Sequence, residues 1–202
     1  MSASVLLASA SPRRAALLAQ LGIACDVAPQ DIDETRRPAE PLTEFVQRLA
    51  IEKARSAWHV AEIRPVIGAD TVVCVGGDSL GKPRDRDHAL AMLRQLSGQT
   101  HEVLTAVAVV CAGQEHRVLS RSQVQFRAIG ADEALAYWDT GEPADKAGGY
   151  AIQGLGAVFV ASLEGSYSGV MGLPLFETAE LLGRVGLPVL GTTGNEVVKE
   201  LG

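Results

Sequence analysis

Val5-Leu6-Leu7-Ala8-Ser9-Ala10-Ser11-Pro12-Arg13-Arg14-Ala15-Ala16-Leu17-Leu18 carries an apolar run into a helical pattern through small residues. Ser11 is a good N-cap, and Pro12 suits the first helical turn because its missing N–H would be unpaired there anyway. The stretch predicts a strand over 4–8, a helix over 11–21 closed by Gly22, and a second strand over 23–28. Two arginines in the first turn of a helix face the positive end of its dipole, at a cost of about 0.3–1 kcal/mol each. Either both point into water, or an anion binds there, received by free backbone N–H groups, serine hydroxyls and two guanidinium forks. The flanking Ser9 and Ser11 favour the anion.

Outward from this unit the chain alternates strand-like and helix-like segments. Pro29 to Pro41 holds Asp31, Asp33, Glu34, Arg36 and Arg37 and reads as an exposed loop. Residues 42–59 are helical, with Phe45, Val46, Leu49 and Ala50 on one stripe. Pro65 to Val75 reads as a buried strand turned by Gly76-Gly77-Asp78. Asp85 can cap a helix over 86–96 that Ser97-Gly98 ends. Residues 101–111 and 115–127 form a long antiparallel pair about Ala112-Gly113-Gln114, and Asp132 to Thr140 is helical. A glycine-rich loop follows, then expected strands near 156–162 and 167–171 joined through Glu164-Gly165. Pro174 opens a last helix to about Leu182. The tail of 186–202 is weakly patterned. The class is α/β, a mixed twisted sheet flanked by helices.

With 202 residues, 47% of them hydrophobic, the chain can bury a core as one domain or two closely packed halves. A net charge of -6 argues against a general nucleic-acid binder and for a small anion held by a local cluster of cations. Cys25, Cys74 and Cys111 are widely spaced, and the histidines show no i, i+4 pairing, so neither a disulfide framework nor a zinc site is expected. The chain reads as a reduced, cytoplasmic protein. Ala8-Ser9-Ala10 looks like a signal-cleavage site but lacks a basic region before it, and no apolar run has the length of a membrane span.

Some residues sit where their chemistry is out of place. Lys53 falls on the apolar stripe of its helix, so it either snorkels outward or directs its ammonium into a cleft toward a phosphate oxygen. Asp70 interrupts a strand that is otherwise apolar; a buried carboxylate needs a lysine, an arginine or a metal. It is either half of a structural ion pair or a catalytic or metal-binding group, and we favour the second. Lys82, held extended before Pro83, is a surface lysine or part of a phosphate cage. Asp33 and Glu34 are solvated loop residues, or join Asp70 in holding a hard cation such as magnesium or manganese. Gln153, between glycines, bonds backbone or offers its paired donor and acceptor to the edge of uracil or thymine.

Taken in order, Ala8-Ser9-Ala10-Ser11-Pro12-Arg13-Arg14, Asp31-Ile32-Asp33-Glu34, Arg48-Leu49-Ala50-Ile51-Glu52-Lys53-Ala54, Gly68-Ala69-Asp70-Thr71, Gly81-Lys82-Pro83-Arg84, Leu96-Ser97-Gly98-Gln99-Thr100-His101, the run from Asp145 to Gly154 and Val170-Met171-Gly172-Leu173-Pro174-Leu175 form one pattern. It resembles the Maf family of nucleoside triphosphate pyrophosphatases over about residues 4–185. The resemblance implies a fold like that of inosine triphosphate pyrophosphatases: one domain over 1–202, two lobes around a central cleft. It also implies a homodimer and metal-dependent hydrolysis of a nucleoside triphosphate to monophosphate and pyrophosphate. Arg13, Thr71 and Gln153 match the branch acting on dTTP and UTP. Asp70 would be catalytic and, with Asp33, would hold Mg2+ or Mn2+. Ser9, Ser11, Arg13, Arg14, Lys53, Thr71, Lys82 and Gln153 would bind substrate. The expected partners are the nucleotide and a second copy of the chain, with neither nucleic acid nor membrane. A nucleotide-binding regulator of cell division that does not hydrolyse its ligand is the competing expectation, and an enzyme of phosphorylated sugars a further one.

Overall fold

The computed structural model describes residues 4–59 and 64–190. Within these, β1 (Val5–Leu7) leads into α1 (Pro12–Gln20) and β2 (Cys25–Val27), then α2 (Leu42–Trp58) and β3 (Val66–Val75). β4 (Asp78–Leu80) and α3 (Arg86–Leu96) follow, then β5 (Thr100–Cys111), β6 (Gln114–Phe126) and α4 (Ala131–Asp139). Next come β7 (Val160–Glu164), α5 (Tyr167–Met171) and α6 (Leu175–Arg184). The strands form one sheet in the order β2-β1-β3-β5-β6-β7, with β4 paired to β3. It is mixed: β1 runs parallel to β2 and β3, with Leu7 opposite Val27 and Ile67, whereas β3–β4 and β6–β7 are antiparallel. A mixed α/β class follows, as the sequence predicts.

Local chemistry explains most boundaries. Asp85 caps α3 by accepting a hydrogen bond from the His88 N–H at 2.8 Å. β5 is buried on both faces from Val103 to Val110, while from Ser120 to Phe126 β6 alternates buried and exposed, as a strand with one covered face does. Ala112 and Gly113 both have positive φ, 48° and 77°, the geometry of a tight hairpin turn.

Two expectations fail near the end of the chain. Leu155–Phe159 is a 3-10 turn, so the expected strand near 156–162 begins only at Val160. The expected strand over 167–171 is instead the helix α5. Ser166 caps it, its hydroxyl accepting from the Gly169 N–H at 2.9 Å, while Ser122 Oγ accepts from Ser166 N and Thr105 Oγ1 donates to Gly169 O. Buried hydroxyls thus take the backbone groups that a strand would have given to a ladder. In the weakly patterned tail, 186–190 hold only turns, and 191–202 lie outside the described residues.

The chain forms two compact units. The first draws on residues up to Asp70, Ala106–Leu119 and Leu173 onward; the second on Thr71–Thr105 and Ser120–Gly172. In the first, Leu7, Leu17, Leu18, Leu49 and Ile67 are fully covered. In the second, Val73, Met92, Leu93, Val124, Phe126, Tyr137, Tyr150 and Phe159 share one apolar cluster.

Candidate active site

The first unit builds a charged cluster just beyond the carboxyl end of β1 and against the middle of β3, where Asp70 stands. Ala8 N donates to Ile67 O at 2.8 Å, which fixes the exit of β1 beside the start of β3. Gly68 lets α2 close on β3: a Cβ there would stand 2.1 Å from Ala50 O and 2.7 Å from Ala54 N. This approach brings Lys53 of α2 onto Asp70 of β3. The two are 8% and 9% exposed, and Nζ donates to Asp70 Oδ1 at 2.7 Å. Glu34 Oε1, from the loop before α2, meets the same Nζ at 2.7 Å. Two carboxylates therefore converge on one ammonium.

Ser9 and Arg14 complete the cluster. The buried Ser9 Oγ accepts from Arg14 Nη1 at 3.0 Å and from Ser11 N at 3.2 Å. Ser11 occupies the N-cap position of α1 with extended backbone, yet its side chain makes no cap hydrogen bond. Burial pushes the Asp70 carboxyl above its ordinary range, opposed by the charges of Lys53 and Arg14. Burial likewise lowers Arg14, with Asp70 pulling upward and Arg13, its neighbour in the first turn, pushing down.

Asp33 is placed differently from the expectation. It is exposed, and its Oδ1 accepts from Thr35 N at 2.9 Å; hydrogen bonds from the Thr35 side chain and then its N–H lower its pKa. The acid drawn toward Asp70 is Glu34. Adjacent acids in a loop carry no periodicity to tell them apart, so geometry alone singles out Glu34. The loop is fixed from behind by Arg48, which grips Glu40 through Nε and Nη2 at 2.6 and 2.8 Å and also reaches Thr35 O at 3.1 Å. The same grip holds Glu40 down at a pKa of about 2.

The second unit carries the remaining candidates. Thr105 donates its only hydroxyl proton to Gly169 O at 2.7 Å, so in its 3.0 Å contact with Thr71 the donor is Thr71. Lys82 is exposed, in a loop tied by Gly148 N donating to Gly81 O at 3.0 Å. Gln153 is exposed in the turn Ala151–Gly154, which Gly154 N closes onto Ala151 O at 3.1 Å. Tyr137, Glu142 and His101 support this region; His101 ends one of the motifs quoted above, whereas no local pattern in the sequence marked Tyr137 or Glu142.

Among the described residues no group of three or more His, Cys, Asp or Glu side chains could hold a metal ion. Glu34 and Asp70 supply two hard oxygen donors already aimed at one positive charge. Such a pair fits magnesium, which usually takes one or two carboxylates and completes its shell with water and phosphate.

Fold and site thus define an α/β protein with cations and a buried carboxylate gathered beside the carboxyl end of β1. Residues 4–185 match the model of the family described as Maf-like protein, and the chain belongs to that family. It is 51% identical over 192 residues to the dTTP/UTP pyrophosphatase of Saccharophagus degradans, covering 93% of this chain and 91% of that one. It is 53% identical over 184 residues to the dTTP/UTP pyrophosphatase of Alkalilimnicola ehrlichii, covering 88% and 91%. The Ham1 protein of Staphylococcus aureus overlaps 60% of this chain and 71% of its own at a TM-score of 0.41 and 12% identity, a likeness too slight to carry an argument. No helix among the described residues is long and apolar enough to cross a membrane.

Proposed function

We propose that this chain hydrolyses dTTP and UTP to the nucleoside monophosphate and pyrophosphate, with a divalent cation. The names of relatives about half identical over nine-tenths of both chains support the substrate class. The observation that carries the mechanism is Asp70: a buried carboxylate with a raised pKa, held by Lys53 beside Arg14. Ser9, Ser11, Arg13 and Arg14 bind phosphate oxygens, the arginines by charge-assisted hydrogen bonds. Asp70 orients the attacking water and takes its proton. The water oxygen bonds to the α-phosphorus, the bond from that phosphorus to the bridging oxygen breaks, and the leaving pyrophosphate carries off the electron pair. Lys53 and Lys82 offset the charge gathering on it. Asp70 and Glu34 would hold magnesium or manganese, which would supply charge neutralisation on the phosphate oxygens.

Gln153 and Thr71 read the base. The paired donor and acceptor of Gln153 suit the O4 and N3–H edge shared by uracil and thymine. Action as a homodimer and a cytoplasmic location belong to the same proposal. The test is pyrophosphate release from dTTP and UTP with magnesium. Asp70→Asn should lose about 10²–10⁴ in rate. Near-normal turnover in that variant refutes the mechanism, and nucleotide binding without release in the parent protein favours the regulator.

A further inference from the structure

We infer that Tyr137 and Glu142 form a brace that sets the position of Gln153, and so act as specificity-determining positioning residues. The inference rests on the reading of Gln153 as the base-contacting group. Gln153 sits in the turn Ala151–Gly154, and both ends of the turn are held by one short network. At its start Ala151 N donates to Tyr137 Oη at 3.1 Å. Tyr137 Oη donates in turn to Glu142 Oε1 at 2.7 Å. Beyond its end Gly156 N donates to the same Oε1 and Leu155 N to Oε2, each at 2.9 Å. One carboxylate therefore collects three hydrogen bonds, and the hydroxyl it orients collects a fourth.

The network is built to close tolerance. A Cβ at Gly154 would lie 2.2 Å from Glu142 Oε2, and one at Gly156 would lie 2.7 Å from Tyr137 Oη. Glycine at both positions is what lets the carboxylate and the phenol approach the turn. Tyr137 is 5% exposed and packs edge-on against Phe159, with ring centroids 5.0 Å apart, so its hydroxyl starts from a fixed point. His101 Nε2 lies 2.8 Å from Tyr150 Oη, which anchors the residue just before the turn. Against the upward push of partial burial, hydrogen bonds from Tyr137, Gly156 and Leu155 hold Glu142 below its ordinary range and keep it ionised. An exposed glutamine on an unsupported turn would sample many positions; on this one its backbone has a single place. That matters because a misplacement of about 1 Å in a binding group can cost about 100-fold.

Glu142→Gln keeps the shape but offers N–H groups where acceptors are needed. Tyr137→Phe keeps the ring against Phe159 and removes only the hydroxyl, so it stands in if the first variant folds poorly. Both are compared with the parent for kcat and KM on dTTP, UTP and CTP, alone and combined with Gln153→Ala, and by hydrogen exchange over 151–156. We expect the preference for dTTP and UTP over CTP to fall by between about 10- and 100-fold, through KM more than kcat. Exchange at Ala151, Leu155 and Gly156 should quicken, and the preference should fall no further in the Gln153→Ala background. Unchanged preference in Glu142→Gln and Tyr137→Phe, when Gln153→Ala alone erodes it, overturns the brace. An equal further loss on top of Gln153→Ala also overturns it, since the pair would then act on folding at large. If Gln153→Ala itself leaves the preference intact, the base-reading role fails and this inference with it, a result distinct from the other two.

Discussion

Replacing Lys53 with methionine keeps most of the stem's volume and removes the charge that Asp70 and Glu34 share. Glu34 has a side chain 57% exposed, so its contact is a surface ion pair of about 0–1 kcal/mol. Asp70 is different. Its side chain is 13% exposed, and without the ammonium 2.7 Å away its carboxylate stays buried with Arg14 as the chief opposing charge. Breaking a buried pair from one side costs about 3–5 kcal/mol. The Arg14 field trims this, and we expect about 3 kcal/mol at pH 7. Asp70→Asn should cost only about 1 kcal/mol, because it removes the buried charge and leaves Lys53 with Glu34. The double variant should then be more stable than Lys53→Met alone. Urea unfolding followed by Trp58 in α2 and Trp138 in α4 measures all three. With a slope of about 2 kcal/mol per molar, the Lys53→Met midpoint should fall by roughly 1.5 M. Acid should narrow the gap. The folded Asp70 pKa lies above its unfolded value, so its contribution is fullest below about 3.9 and is lost as pH rises through the folded value. The deficit of Lys53→Met should accordingly shrink as the pH falls from 7 toward about 4. A deficit below about 1 kcal/mol, or one flat with pH, would mean that Asp70 is solvated and the burial argument is wrong.

Burial pushes His101 down from 6.5 to about 4, so the folded chain holds it neutral where the unfolded chain would protonate it. Stability from this group is full above about 6.5 and lost as the pH falls through 4, about 3 kcal/mol in all; a melting temperature equally pH-sensitive in His101→Phe would refute it. Gly68→Ala should cost 2 kcal/mol or more in thermal unfolding, because its methyl group meets the backbone of α2, not a movable side chain. Gly81→Ala, with open space at the Cβ, is the control that should stay near the parent, and equal stability of the two variants would refute the close approach.

What the sequence made legible is what its local chemistry controls. The β1–α1 unit announces itself through apolar run, small residues, Ser11 and Pro12; α3 begins where Asp85 can cap it and ends before Gly98. Lys53 and Asp70 are visible separately, each as a charge in an apolar pattern, and their 2.7 Å contact is the most economical outcome for both. The failures have a different origin. Tyr-Ser-Gly-Val-Met over 167–171 has no helical period to read, and its helix depends on hydroxyls of Thr105 and Ser122 that are distant in sequence. Glu34 and Asp33 differ only in which way the loop turns once Arg48 has seized Glu40. Tyr137 and Glu142 look like ordinary helix-end residues until the backbone of Leu155 and Gly156 arrives.

The chain passes between its two compact units four times, at Asp70–Thr71, Thr105–Ala106, Leu119–Ser120 and Gly172–Leu173, and the first three passages fall within β3, β5 and β6. Neither unit is a continuous stretch of gene. A fragment library, an intein split or a recombination event at any of those strands would leave two incomplete halves instead of two modules. Such a protein can be varied residue by residue or inherited whole, but not assembled by shuffling its parts.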